Sequence, residues 1–91
     1  MDELELRMED TPNPNAKRYV CNRTVQEGSK GRFFTEASAG GEPLVDLLFE
    51  IEGVSGVMLL SSSITVNKEA AAEWDGLTAR AEDAIRRYLL S

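Results

Sequence analysis

Cys21 is the residue of this 91-residue sequence best suited to chemistry, and the sequence contains no histidine. A catalytic thiolate needs a nearby base or cation to lower its pKa. Lys17, Arg18 or Arg23 could supply positive charge, but a cation cannot act as the base that shuttles the proton. Histidine would be the usual base near neutral pH. The sequence therefore predicts a protein that is not an enzyme and has no catalytic residues.

Cys21 is also the only candidate metal ligand of the thiolate type. An iron–sulfur cluster normally takes four protein ligands, mostly thiolates. One chain supplies one thiolate from Cys21, and two chains supply two. A cysteine within an apolar strand pattern is more often a small packed side chain than a ligand. We therefore expect this chain to bind no metal or cofactor alone, and an iron–sulfur cluster only through a partner.

Basic residues are concentrated in one part of an otherwise acidic chain. Residues 11–35 contain five basic residues and one acidic residue, giving a net charge of +4, whereas the remainder carries −10 and the whole chain −6. The overall negative charge argues against nucleic-acid binding, which requires basic surface. Most charged strand faces are simply solvated, but such a contrast can also orient a charged partner. The basic candidates for partner binding are Lys17, Arg18, Arg23, Lys30 and Arg32.

Residues 11–15 form the motif TPNPN. The two prolines fix φ and favour extended geometry in the residues before them, which predicts a stiff, exposed bend. Two interpretations remain open. The asparagines could satisfy backbone groups within the bend, or the preorganised loop could present two amides to a partner at low entropic cost. Thr11, Asn13 and Asn15 are therefore further candidates for partner binding.

About five strands are predicted, from alternating apolar positions and turn residues. They are residues 4–8, 16–22, 32–35, 57–60 and 64–66. The second and third strands are expected to form a hairpin around the turn at residues 27–31. The fourth and fifth are expected to form a tight hairpin through the serines at residues 61–63.

Two amphipathic helices are predicted. The first begins at Pro43 and ends at Gly53, with an apolar stripe at i, i+3, i+4 and i+7. The second is expected to be capped by Asn67 and to run to about Leu90, with Gly76 inside it. Its expected apolar side comprises Trp74, Leu77, Ala81, Ile85 and Tyr88 or Leu89. The whole chain, residues 1–91, is predicted to be one α+β domain, a two-layer sandwich of a mostly antiparallel sheet with both helices on one face.

Four stretches of the sequence resemble a known family. They are TPNPNAK at residues 11–17, PL at 43–44 with LFEIEGV at 48–54, ITVNK at 64–68, and the pair Trp74 and Leu77. In this order they resemble the N-terminal domain of Nfu/NifU-like iron–sulfur scaffold proteins. The resemblance implies a two-layer α+β fold and a role near iron–sulfur cluster assembly. Leu60, Ser62 and Ser63 depart from the family, which usually has glycine, aspartate and phenylalanine there.

The resemblance also bears on the cluster site. In longer members of the family a CxxC pair in a separate C-terminal domain holds the cluster, and this chain contains no CxxC. We therefore expect a non-catalytic adaptor that binds an iron–sulfur scaffold or client protein. The alternative is a dimeric metal or cluster carrier that uses Cys21 from two chains. A third possibility is a structural fragment that functions only within a complex.

The expected location is the cytoplasm. No apolar run approaches the roughly 20 residues of a membrane-spanning helix. The acidic N-terminus, Met1 to Glu3, lacks the basic and then apolar order of a signal peptide. Membrane binding is therefore not expected.

Overall fold

Residues 3–25, 31–35 and 40–90 are described by a computed structural model of the chain. Lys30 and most of the turn predicted at residues 27–31 lie outside these ranges. The described strands are β1 (Leu6–Asp10), β2 (Ala16–Cys21), β3 (Arg32–Thr35), β4 (Val54–Leu60) and β5 (Ser63–Lys68), and the helices are α1 (Pro43–Phe49) and α2 (Leu77–Leu90). Neither of the described helices is long and apolar enough to cross a membrane.

The five strands form one sheet in the order β1-β2-β5-β4-β3, and all four pairings are antiparallel. β4 and β5 are joined by a tight hairpin, in which Leu60 pairs with Ser63 across a loop of two residues, Ser61 and Ser62. The predicted α+β fold and the predicted serine hairpin are both confirmed.

The predicted hairpin between the second and third strands is wrong. β2 pairs with β1 on one side and with β5 on the other, so it has no edge left for β3. β3 pairs instead with β4, where Phe34 lies opposite Val57. Two strands therefore separate Lys17 on β2 from Arg32 on β3, and the predicted basic hairpin does not exist.

The buried core lies on one face of the sheet. Side chains alternate between faces along a strand, and β2 accordingly buries Tyr19 and Cys21 while Arg18 between them is exposed. Tyr19, Ile64 and Leu59 are consecutive cross-strand partners and are almost completely buried. α1 and α2 cover this face with buried apolar side chains, namely Leu44, Val45, Leu48, Leu77, Ala81, Ala84 and Ile85.

Both helices are shorter than predicted. α1 ends at Phe49, and Gly53, with φ of +101°, lies in the turn that precedes β4. Asn67 is not a helix cap, because it belongs to β5 and pairs with Ala16 of β2. α2 begins at Leu77, directly after Gly76, whose φ of +76° is incompatible with a right-handed helix. Trp74 therefore precedes the helix instead of lying on it.

Tyr19 predicts a pH dependence of stability. Burial, with a smaller contribution from the charge of Glu82, raises the pKa of Tyr19 from 10.0 to about 12, and its hydroxyl donates to the carbonyl oxygen of Thr78 at 2.8 Å. Because the folded-state pKa is raised, the stabilisation is complete below pH 10 and is lost as the pH rises through 12. We expect this tyrosine to lower the free energy of unfolding by about 2–3 kcal/mol over that window.

Urea denaturation between pH 8 and pH 12 measures this effect as the difference between the wild type and Tyr19→Phe. The variant should be less stable at pH 8 by about 1 kcal/mol, because it loses one hydrogen bond, and should decline less steeply above pH 10. Tyr88→Phe, which removes the other tyrosine hydroxyl of the chain, is the matched control. If the free energy of unfolding falls with pH equally steeply in the wild type and in Tyr19→Phe, then the pH dependence does not come from Tyr19.

Candidate functional site

The TPNPN bend joins β1 to β2 and is ordered by its own side chains. The hydroxyl of Thr11 lies 2.9 Å from the carbonyl oxygens of Asn13 and Ala16 and accepts the backbone N–H of Asn13 at 3.1 Å. The Oδ1 atom of Asn13 accepts the backbone N–H of Asn15 at 2.9 Å. The N–H of Ala16 closes the bend on the carbonyl oxygen of Asn13 at 3.0 Å. The side chain of Asn13 thus satisfies a backbone group within the bend, as one of the two interpretations of the sequence predicts.

The bend is also bonded to Lys68, the last residue of β5, and to Trp74, which follows β5. Lys68 contacts Asn15 twice, through its backbone N–H to the carbonyl oxygen at 2.8 Å and through Nζ to Oδ1 at 3.0 Å. The indole Nε1–H of Trp74 donates to the carbonyl oxygen of Pro14 at 2.9 Å. Residues more than fifty positions apart thus fix the conformation of the bend.

Two lysines lie over the ring of Trp74. The Nζ atom of Lys17 is 5.4 Å from the ring centroid and that of Lys68 is 5.8 Å away. Both distances are within the range of a cation–π interaction. Lys17 also forms an ion pair with Asp10, its cross-strand partner on β1. We call residues 11–16 together with Lys17, Lys68 and Trp74 the bend cluster.

The outer surface of the bend cluster offers hydrogen-bond donors. Pro12, Asn13 and Pro14 are exposed. The Oδ1 atoms of Asn13 and Asn15 are used within the cluster. Each side-chain amide also carries two N–H donors, and within the described ranges neither Asn13 nor Asn15 donates them to another group. The oxygens therefore hold the bend together, and the nitrogens remain available to a partner.

The other predicted basic residues lie away from the bend cluster. Arg18 is on the opposite face of the sheet, where its guanidinium lies 3.2 Å from the carboxylate of Glu9. Arg23 follows β2 and donates to Oδ1 of Asn22. Arg32 is on β3, where it pairs with Glu42 at 3.3 Å. The structure thus brings Thr11, Asn13, Asn15 and Lys17 together, and distributes Arg18, Arg23 and Arg32 over other surfaces.

Cys21 lies at the end of β2 and is buried, with 7% of its surface exposed. Its Sγ atom lies 3.3 Å from the carbonyl oxygen of Arg23 and 3.5 Å from that of Ser62, so the thiol is a weak donor to the backbone. In the part of the chain that the structure describes, no three His, Cys, Asp or Glu side chains are grouped in a way that could hold a metal ion.

Sequence reasoning missed the roles of Lys68 and Trp74. The helical spacing of Trp74 and Leu77 suggested that both belong to one apolar stripe, whereas Trp74 contacts the bend. Gly76 was the available signal, because a glycine inside a helical pattern costs about 1 kcal/mol relative to alanine and so weakens the case for a helix that continues through it. No local pattern links Lys68 to Asn15, which lies 53 positions earlier.

The sequence profile described as "Scaffold protein Nfu/NifU N terminal" matches residues 6–91. The chain belongs to this family. The mitochondrial NFU1 iron–sulfur cluster scaffold homolog of Drosophila willistoni is 39% identical over 70 residues, covering 76% of the chain and 24% of the relative. The human homolog of the same name is 41% identical over 64 residues, covering 70% and 25%. The chain thus spans about a quarter of the length of these relatives.

Solved structures have the same fold. A Staphylococcus aureus crystal structure covers 89% of this Nfu N-terminal domain and 98% of its own chain, with a TM-score of 0.78 and 21% identity. A NifU-like protein from Saccharomyces cerevisiae covers 96% of this domain and 79% of its own chain, with a TM-score of 0.79 and 21% identity. At this identity, the similarity establishes the α+β fold alone.

Replacing Trp74 should loosen the bend of this Nfu N-terminal domain. Trp74→Phe removes the indole N–H that bonds to Pro14 and weakens the contact with two lysines. We expect the free energy of unfolding to fall by about 1–2 kcal/mol. We also expect faster hydrogen exchange at the amides of Ala16 and Lys68, measured by NMR.

Two further variants make the comparison specific. Lys68→Met retains the aliphatic stem but loses the bond from Nζ to Asn15, so it should accelerate exchange at the same amides. Arg87→Gln, on the exposed side of α2, should leave them unchanged. Unaltered exchange in Trp74→Phe and Lys68→Met would show that neither contact orders the bend.

Proposed function

We propose that this domain is a non-catalytic binding module that docks a protein partner of iron–sulfur cluster assembly or delivery through the bend cluster. Membership of a scaffold family supports the cluster-assembly context. The observation that carries the proposal is that the amide oxygens and the amide N–H groups of Asn13 and Asn15 are used differently. The oxygens maintain the conformation of the bend, while the N–H groups donate to no other group within the residues that the structure describes.

The rigidity of the bend supports a binding role in energetic terms. Binding costs conformational entropy for every loop and side chain that becomes ordered, so a loop ordered beforehand loses less. Here the order is provided by Thr11 within the bend and by Lys68 and Trp74, which contact the bend from more than fifty positions away in the chain. The matching partner surface would supply carbonyl or carboxylate oxygens, which accept from amide N–H groups.

The proposal assigns any cluster to the partner. A cluster normally needs four protein ligands, and Cys21 is directed at backbone carbonyl oxygens within the fold. The alternative, a carrier that shares Cys21 between two chains, would require both buried thiols to leave these contacts. The cytoplasmic location expected from the sequence stays a prediction, and both curated relatives described above are named as mitochondrial proteins.

Asparagine-to-aspartate substitutions test the docking surface. In the double variant Asn13→Asp, Asn15→Asp, each side chain keeps the oxygen that accepts the internal bond but loses its N–H donors. Two hydrogen bonds of about 0.5–1.5 kcal/mol each correspond to roughly a fivefold to hundredfold loss of affinity. The measurement is calorimetric titration with a partner first identified by quantitative cross-linking in cells of the source organism.

Controls separate docking from stability. The aspartate variant should retain the wild-type exchange rates at Ala16 and Lys68, and Arg87→Gln should retain wild-type affinity. If cross-linking recovers cluster-assembly or client proteins whose affinity is unchanged by the aspartate substitutions, then the bend cluster is not the docking surface.

Anaerobic reconstitution with ferrous iron and sulfide tests the assignment of the cluster to the partner. We expect no stoichiometric iron or sulfide on the purified domain, and the same result for Cys21→Ser, because one thiolate cannot complete a cluster. Iron and sulfide analysis together with native mass spectrometry provides the readout. A stoichiometric cluster in a dimer that disappears in Cys21→Ser would establish the carrier function instead.

A further inference from the structure

The sheet has a second face, on the side away from α1 and α2. Cross-strand pairing aligns one row of side chains over all five strands, in the order Glu9, Arg18, Thr65, Met58 and Phe33. The neighbouring row contains Arg7, Val20, Ser63 and Leu60. These positions alternate with the buried residues that face the helices. We call the surface formed by these two rows the open face.

One end of the open face is apolar. Phe33 is 52% exposed, and Met58 and Leu60 beside it are half-buried. The ring of Phe33 lies across Gly56, so close that a Cβ atom at Gly56 would be 2.7 Å from it. The ring is therefore seated against the backbone of β4 with about half of its surface still accessible. An exposed, positioned aromatic ring is typical of binding surfaces.

The other end of the open face is positively charged. Glu9 lies between two arginines, 2.9 Å from Arg7 and 3.2 Å from Arg18. One carboxylate thus faces two guanidinium groups, so these three side chains together carry one excess positive charge, in a protein whose net charge is −6. Each guanidinium has five N–H donors, and the side chains of Arg7 and Arg18 are 71% and 44% exposed. This end of the face therefore suits a carboxylate.

We propose that the open face binds an acidic amphipathic helix of a partner protein. The helix would place apolar side chains on Phe33, Met58 and Leu60, and a carboxylate against Arg7 and Arg18. Helices are the usual cover of a sheet face, and this helix would lie with its axis across the strands, so that it reaches from Arg18 to Phe33. A second copy of this chain fits less well, because its own open face supplies no unpaired carboxylate for Arg7 and Arg18: its Glu9 is already paired with two arginines.

The register of the sheet sets the spacing between the carboxylate and the apolar side chains of this helix. Arg18 and Phe33 lie in one row, three strand spacings apart, which is about 14 Å. At a rise of 1.5 Å per residue, the carboxylate lies about nine or ten residues from the apolar contact. The inference rests on the proposed function only in taking the partner to be a protein, since the open face is separate from the bend cluster.

Two synthetic helical peptides of about 18 residues provide the test. Both carry the same leucine stripe, and one has glutamate and the other lysine at the polar positions. We expect the Leu/Glu peptide to shift, saturably, the backbone NMR signals of Arg18, Phe33, Met58 and Leu60. The Leu/Lys peptide should bind at least tenfold more weakly.

Variants on the open face identify the groups responsible. Arg18→Glu should weaken the Leu/Glu peptide at least tenfold and strengthen the Leu/Lys peptide. Phe33→Ser should weaken both peptides, and Met58→Gln provides the same test if Phe33→Ser does not fold. Equal binding of both peptides, or signal changes elsewhere on the domain, would overturn the proposal. A dimer in sedimentation equilibrium that Phe33→Ser dissociates would assign the face to a second copy and overturn it as well.

The same variants distinguish this inference from the proposed function. The double variant Asn13→Asp, Asn15→Asp should bind the Leu/Glu peptide as the wild type does. If the double variant weakens the native complex, but the Leu/Glu peptide does not bind the wild-type domain, then the open-face inference alone is wrong. If the peptide binds as expected and the aspartate substitutions leave the native complex intact, then the assignment of docking to the bend cluster is wrong.

Discussion

The position of β5 between β2 and β4 is the constraint on which the rest of the structure depends. β5 pairs with both neighbours over most of its length, and thereby joins β1 and β2 to β4 and β3. It places Ile64 and Val66 at the centre of the core. Its last residue, Lys68, reaches the bend between β1 and β2. The core and the bend cluster therefore both depend on one non-local strand pairing.

Successive side chains along each strand point to opposite sides, so the sheet has two faces with different roles. Tyr19, Ile64 and Leu59 face the helices and bury apolar area, which is the dominant favourable contribution to folding. The residues between them face outward and contribute little to the core. Phe33 shows the effect clearly, since its neighbour Phe34 is buried opposite Val57. Two adjacent aromatic residues in a strand cannot both enter the same core.

Local patterns predicted the parts of this fold that local interactions determine. The serine hairpin and the start of α1 at Pro43 follow from turn residues and the geometry of proline, and both are confirmed. The partner of β3 was wrong because strand neighbours in sequence need not be neighbours in the sheet. The start of α2 was wrong because Asn67 has an intrinsic preference for helix caps, which its pairing with Ala16 overrides. For the candidate site, the internal role of the asparagines was predictable, whereas their contacts with Lys68 and Trp74 depend on tertiary structure.

The bend cluster and the open face meet the demands of stability and recognition in different ways. In the bend cluster, each asparagine uses its oxygen for the fold, and in the proposed function its N–H groups would bind a partner, so that a single side chain would serve both purposes. On the open face the purposes belong to different residues, because the core on the far side of the sheet already provides stability. A domain without a complete set of cluster ligands can still serve cluster chemistry by holding the proteins that have them. Recognition of such a protein through a rigid polar bend, and through a face that is apolar at one end and basic at the other, would make its docking depend on both position and charge.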